Sequence, residues 1–378
     1  MEFLPTVLSP EEEALRADVR QFLAEELGPD HRPSLGMNAR FDPEFSRKLA
    51  RRGWVGMAIP EEYGGHGRSA VERFVVTDEL LSAGAPILAH FVADRQTGPN
   101  LLRFGTEEQR QRFLPAICAG ECYFSLGMSE PDSGSDLASV RTTAVQVDGG
   151  WLVNGTKIWT SGAHHNHYFA VLCRTSPLTE QRHAGLSQLI VDLSSPGVKV
   201  SPIPFIDGSH HFNEVVLQDV FVPDDMVLGQ IGDGWRQVTG ELAYERSGPD
   251  RYLSTFNVLR QFVATFADNP PTDEQLRVVG RLSAWFWTIR QMSLAVARSL
   301  DAGEAPGVEA ALVKDVGTKF EQEVIDVIRA AAETELDPGG ATLFEKLLAE
   351  AVLTGPSFTL RGGTTEVLRS VAAKGLGR

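Results

Sequence analysis

The spacing of apolar residues in this chain changes period twice, which restricts it to a mixed architecture with helices at both ends and strands between them. Up to about residue 120 the pattern is helical. Ser9-Pro10-Glu11-Glu12 reads as a helix start, with Ser9 as cap, Pro10 at the first helical position and Glu12 reaching back to the Ser9 amide. Leu15, Val19, Phe22 and Leu23 then mark one apolar face, and turns such as Tyr63-Gly64-Gly65-His66-Gly67 and Thr97-Gly98-Pro99 interrupt the helical run. From about residue 123 the period shortens. Ala144 to Val147 and Trp151 to Val153 flank Asp148-Gly149-Gly150, a hairpin-type turn, and more strands follow at Tyr168 to Cys173, Leu189 to Asp192, Val198 to Ile203 and Asn213 to Val222. After Gly234 the helical period returns, with Leu276, Val279, Leu282, Trp285, Ile289 and Met292 along one stripe and a further helix over Val308 to Ala332. Asp268-Asn269-Pro270-Pro271 breaks that region, because paired prolines cannot sit inside a helix. The expected fold is α+β, with an N-terminal helical domain over 1–122, a small central β domain over 123–233 and a C-terminal helical domain over 234–378.

With 42% apolar and 22% charged residues in 378, the chain can bury a large core. A formal charge of -15 opposes nucleic acid as a partner. No apolar run approaches the ~18 residues of a membrane span, and the first twelve residues carry acids and a proline, so neither export nor membrane spanning is expected and the compartment is read as cytoplasmic. Cys118, Cys122 and Cys173 are too few and too irregular for a disulfide framework and read as reduced, packed thiols. His164, His165, His167, His210 and His211 invite a metal, but lack Cys or carboxylate partners at ligand spacing and read more simply as loop histidines.

Two segments carry a specific resemblance. Ser129-Glu130-Pro131-Asp132-Ser133-Gly134-Ser135-Asp136 and Asn154-Gly155-Thr156-Lys157-Ile158-Trp159-Thr160-Ser161-Gly162 resemble the signature stretches of the acyl-CoA dehydrogenase family. Gly53-Trp54 to Gly65, Phe104-Gly105-Thr106 to Leu114-Pro115, Val222-Pro223 to Gly234-Trp235 and Gly362 to Arg369 agree in order and spacing, so the resemblance spans nearly the whole chain. It implies that the C-terminal helices form a four-helix bundle, with FAD held between it and the β domain, and that the substrate is an acyl-CoA.

The implied chemistry needs a carboxylate at the α carbon of the thioester. Many members place it just before the Gly-Thr of the C-terminal motif, where this chain has Gly362. A branch similar to the isovaleryl- and long-chain enzymes places it at the start of the bundle before an Arg, which makes Glu245, followed by Arg246, the candidate base. By the same resemblance Trp159 and Ser161 lie at the isoalloxazine, Ser129 at its pyrimidine edge, Thr364 against the flavin and Glu366 near the adenine part. Ser135 and Arg246 match positions that contact CoA.

The chain also departs from the pattern. The Arg-x-x-Phe-Gly stretch that reaches a neighbour's FAD is absent near Ala267 to Gln275, and the Gln expected before Gly339-Gly340 is replaced by Glu335-Leu336-Asp337-Pro338. Either a homodimer or homotetramer binds FAD through other contacts, or a second family member supplies those residues in a hetero-oligomer. The expected reaction is α,β-dehydrogenation with electrons passed to an electron-transfer flavoprotein. The rivals are an oxygen-using flavin oxidase and a non-catalytic partner subunit.

Overall fold

The helices begin where the sequence offers side chains to satisfy unpaired amides. Capping boxes formed by Ser9 with Glu12, Ser69 with Glu72, Thr106 with Gln109, Thr272 with Gln275 and Thr342 with Glu345 open five of them. A computed structural model describes residues 3, 6–36, 39–332, 334, 336–375 and 377, with 241–245 by backbone alone. In chain order the elements are α1 (Pro10–Glu26), α2 (Pro43–Arg51), α3 (Ala70–Ser82), α4 (Leu88–Val92), α5 (Gly98–Phe104), α6 (Glu107–Cys118), β1 (Phe124–Gly127), β2 (Thr143–Val147), β3 (Gly150–Ser161), β4 (Tyr168–Arg174), β5 (Leu186–Asp192), β6 (Val198–Pro204), β7 (His210–Pro223) and β8 (Val227–Leu228). The chain then continues with α7 (Gly234–Glu245), α8 (Phe256–Ala264), α9 (Asp273–Asp301), α10 (Gly307–Ala331), α11 (Leu343–Thr354) and α12 (Thr365–Gly375). Helices, then strands, then helices is the order expected from the periodicity.

Two compact units emerge, one comprising Met1–Arg40, Ser69–Pro86 and Ala243–Arg378, the other Phe41–Arg68 and Ile87–Leu242. In the first, α3 packs on both α1 and α9, α9 runs along α10, and α12 lies on α10. Val71, Phe74 and Val75 of α3 meet Leu294 and Ala297 of α9 in one apolar cluster. Beside it Arg290 donates from Nε to Asp78 at 2.9 Å, and the Tyr252 hydroxyl donates to the same buried carboxylate at 3.2 Å. Burial raises the Asp78 carboxyl above its ordinary range, with Arg290 opposing the shift.

The second unit is built on one mixed sheet in the order β6-β7-β3-β2-β4-β5-β8, with β1 parallel to β4. β2 and β3 form the expected hairpin, in which Val147 pairs with Gly150 across Asp148 and Gly149, the glycine at φ 74. β4 and β5 are buried along almost their whole length, whereas the end of β7 alternates between core and surface, and Val153, Phe169, Val171, Val215 and Leu217 meet Phe113, Leu114 and Ile117 of α6 in the core.

The stripe expected on α9 needs one correction. Leu282 and Ile289 are fully buried, but Leu276 is 53% exposed, because at about 100° per residue it lies on the side of the helix away from the buried Val278, Leu282 and Ile289. β1 and β8 escaped the sequence reading. They are four and two residues long and buried, too short for alternation to register. Leu282→Ala should therefore cost about 2–5 kcal/mol of stability and Leu276→Ala about 0.5 kcal/mol or less in denaturant melts. Equal losses at the two positions would contradict this assignment of the buried face.

Candidate functional site

The end of β3 carries the most unusual backbone in the second unit. Between Lys157, paired with Val215, and Thr160, paired with Asn213, the register with β7 slips by one residue, so Ile158 and Trp159 face Glu214 alone in a β-bulge. Trp159 takes φ 58, a strained value for a bulky residue, and its indole is 53% exposed while Lys157 and Thr160 on either side are fully buried. Phe212 supports the indole edge-on, with ring centroids 6.0 Å apart. Nearby, the Ser161 carbonyl accepts the Ser125 hydroxyl at 2.8 Å, and the Ser129 carbonyl accepts the Ile158 amide at 2.9 Å. The hydroxyls of Ser129 and Ser161 have no hydrogen-bond partner among the described residues, and Thr160 Oγ1 is buried without one. An exposed indole beside free hydroxyls suits a planar ring with polar edges.

What holds the bulge is a buried ion pair that the sequence reading did not single out. Lys157 Nζ, 0% exposed, donates to Glu130 Oε1 at 2.8 Å and to the Met128 carbonyl at 3.2 Å. Glu130 also accepts the Thr142 amide at 2.9 Å and the Arg141 amide at 2.6 Å. Burial alone would raise the Glu130 carboxyl, but Lys157 and these donors outweigh it and hold the group below the usual carboxylate range. The pair thus fastens the two signature segments to one another.

Ser135 is exposed near the end of the first of these segments. Its neighbour Asp136 accepts Arg182 at 2.6 Å and the Ser139 hydroxyl at 2.5 Å. A cavity of about 560 Å³ is lined by Arg182, His183, Trp235 and Arg236, with His183 stacked on Trp235 at 4.0 Å. Glu180 and Asp233 also line it, Arg182 is paired with Asp136 and Arg236 with Asp233, so an anionic ligand there would have to share these arginines with carboxylates. Sequence reasoning missed it because its residues come from two separated stretches.

The remaining expected residues fall in the first unit. Arg246 Nε donates to the Gly362 carbonyl at 3.2 Å. Gly362 and Gly363 take φ 66 and 99, in the left-handed region that favours glycine, and a Cβ on Gly362 would lie 3.1 Å from Arg251 Nη1. A carboxylate built there would meet a buried guanidinium. Thr364 accepts the Val367 amide at 3.4 Å at the start of α12, and Glu366 is exposed in the first turn. The Glu366 amide and the Thr364 hydroxyl hold the Glu366 carboxyl low. Glu245 ends α7, and its side chain lies outside the described residues.

His164, His165 and His167 are exposed in a turn as expected, whereas His210 and His211 open β7. His164 stacks on His210 at 4.0 Å and lies tilted against His165 at 3.9 Å, beside a cavity of about 790 Å³, and burial with mutual repulsion pushes the His164 imidazole down to about 4. Among the described residues no group of three or more His, Cys, Asp or Glu is placed to hold a metal ion, and no helix is long and apolar enough to cross a membrane. All three cysteines are buried as free thiols, which burial pushes up to about 12.

Breaking the buried pair from either side strands a charge. Glu130→Gln and Lys157→Met should each cost about 3–5 kcal/mol, whereas the double variant should recover to within about 1 kcal/mol of the parent. Thermal melts of the four proteins test this, and losses that simply add would contradict it. Because the Glu130 carboxyl is depressed, its contribution is present above the unfolded carboxylate range near 4.5 and is lost as the pH falls through its lower folded value.

Comparison with known proteins agrees with this arrangement. Residues 9–121 match the family description "Acyl-CoA dehydrogenase, N-terminal domain" and residues 125–220 match "Acyl-CoA dehydrogenase, middle domain". Acyl-CoA dehydrogenase FadE29 of Mycobacterium tuberculosis is 36% identical over 98% of this chain and 97% of its own. Acyl-CoA dehydrogenase IpdE1 of the same organism is 35% identical over 96% of each chain. Among solved structures, the Tcur3481-Tcur3483 steroid ACAD superposes with a TM-score of 0.87 at 31% identity, covering 100% of this chain and 99% of that one. The ChsE4-ChsE5 complex of Mycobacterium tuberculosis gives 0.84 at 30% identity over 99% of both. Likeness of this extent, over the segments that carry the bulge, the buried pair and the glycine turn, makes this chain a member of the acyl-CoA dehydrogenase family of flavin-dependent oxidoreductases.

Proposed function

We propose that this protein binds FAD and dehydrogenates an acyl-CoA thioester to the trans-2-enoyl-CoA, with Glu245 as the base that takes the α proton. The observation that carries the reading is Trp159, held at φ 58 and half exposed by a bulge that the Glu130–Lys157 pair fastens. Strain of this kind persists where a ligand needs the side chain in that place. Bound FAD supplies the acceptor for the hydride that leaves the β carbon. Trp159 gives the flavin a stacking face, Ser161 and Ser129 give its polar edge hydrogen-bond partners, and Thr364 and Glu366 complete its binding. Arg246 and Ser135 position the CoA part, with Arg182 and Arg236 meeting its negative charge. Gly362, having no side chain and backed by Arg251, cannot serve as the base, which favours Glu245. The electrons go on to an electron-transfer flavoprotein.

The acyl group is proposed to be bulky and ring-bearing. The support is that a relative similar over the full chain is described as a steroid ACAD. Two such relatives are described as pairs of differently named chains, and this chain lacks the Arg-x-x-Phe-Gly stretch, so the favoured assembly contains a second family member, with a homodimer or homotetramer as the other reading.

The test is the visible spectrum of the chain purified alone and after coexpression with a second family member, titrated anaerobically with straight-chain, branched and steroid-side-chain acyl-CoAs. The expected result is flavin absorbance bleached by the ring-bearing substrate and at least about a thousandfold slower bleaching in Glu245→Gln. Colour only after coexpression supports the mixed assembly. Protein that stays colourless with added FAD in both preparations contradicts the reading.

A further inference from the structure

The first unit buries a lysine that no step of the proposed reaction uses. Lys314, on α10, is 0% exposed, and its ammonium donates to two main-chain carbonyls, Gly363 at 2.6 Å and Thr359 at 3.3 Å. Neither of these acceptors is a carboxylate. Glu321 is engaged by Arg361 at 2.9 Å and by the Ser254 amide, and Asp315 is engaged by Arg369 at 3.3 Å. Burial, followed by the repulsion of Arg251 and Arg361, pushes the Lys314 ammonium down to about 7. A buried cation answered only by carbonyls is an expensive way to fill a core, since a methionine of similar length would fill the same space without desolvating a charge.

The two carbonyls show what that cost achieves. Thr359 and Gly363 bracket the segment that turns through Gly362 and Gly363, at φ 66 and 99, into α12. Arg246 ties the Gly362 carbonyl from another side. Glycines at these angles have the largest conformational entropy to lose, so the turn needs external bonds to keep one shape.

We propose that Lys314 is a positioning residue, which by clamping the carbonyls of Thr359 and Gly363 fixes the Gly362–Gly363 turn and so presents Thr364 and the start of α12 to the flavin. The inference rests on the flavin reading above. It makes Lys314 a residue retained for binding at the expense of stability. The discriminating signature is therefore a split between two readouts that a merely structural lysine would move together.

The experiment compares wild type, Lys314→Met and Lys314→Gln in the assembly that forms in solution, measuring Tm, FAD affinity by flavin fluorescence and amide hydrogen exchange across 362–366. In Lys314→Met the Tm should stay level or rise, while FAD affinity falls by about tenfold or more and exchange at 362–366 quickens by a similar factor. Lys314→Gln keeps one donor and should recover part of both, and it is read alone if the Met variant does not fold. Wild-type affinity and protection in the variants overturn the proposal, as does a lower Tm with protection lost throughout the first unit. If wild type itself binds no FAD, the functional reading fails, whereas exchange at 362–366 still decides whether Lys314 holds the turn.

Discussion

A fully buried lysine facing a buried glutamate sets the local geometry on which the exposed Trp159 depends. Lys157 is two residues before that tryptophan, and Glu130 is one residue after Ser129, so a single 2.8 Å contact fixes both signature segments. Desolvating two charges is costly, and an apolar pair would fill the space as well. The ionic pair adds direction, because Glu130 collects the Arg141 and Thr142 amides as well as Lys157 and so pins the loop that would otherwise be free to drift. The bulge and its strained tryptophan follow from that fixed anchor.

The first unit reaches a comparable result with opposite means. Its glycine turn has no side chains of its own to hold it, and cations from outside seize its carbonyls, Arg246 at Gly362 and Lys314 at Gly363. In the sheet, side chains order a strained residue, whereas at the start of α12 they order unconstrained ones. Both arrangements reduce the conformational freedom that a ligand would otherwise have to remove on binding.

Much of this was legible in the residues. The helix, strand, helix order followed from periodicity, and the Ser9 capping box and the Asp148-Gly149 hairpin formed as their local chemistry requires. The same capping signal was present at Ser69, Thr106, Thr272 and Thr342 and would have fixed four more helix starts. Long-range pairings were not legible. Glu130 and Lys157 lie 27 residues apart, and Lys314 is 49 from Gly363, and no local pattern announces that such residues meet. Trp159 was singled out through the family motif, yet its exposure comes from a register slip against β7 that depends on the partner strand. The stacking of His164 on His210 joins a turn to the start of β7, 46 positions apart in the chain, which no local pattern announces.

The chemistry proposed for this chain is the removal of two hydrogens from an acyl-CoA, begun by Glu245. Mass spectrometry of the thioester after incubation with the FAD-loaded assembly and an artificial electron acceptor tests it most directly. A product lighter by two hydrogens, formed by wild type and absent with Glu245→Gln although the variant still binds FAD, is the predicted result. An unchanged thioester with flavin-loaded wild type across straight-chain, branched and steroid-side-chain substrates, or equal product from the variant, would contradict it.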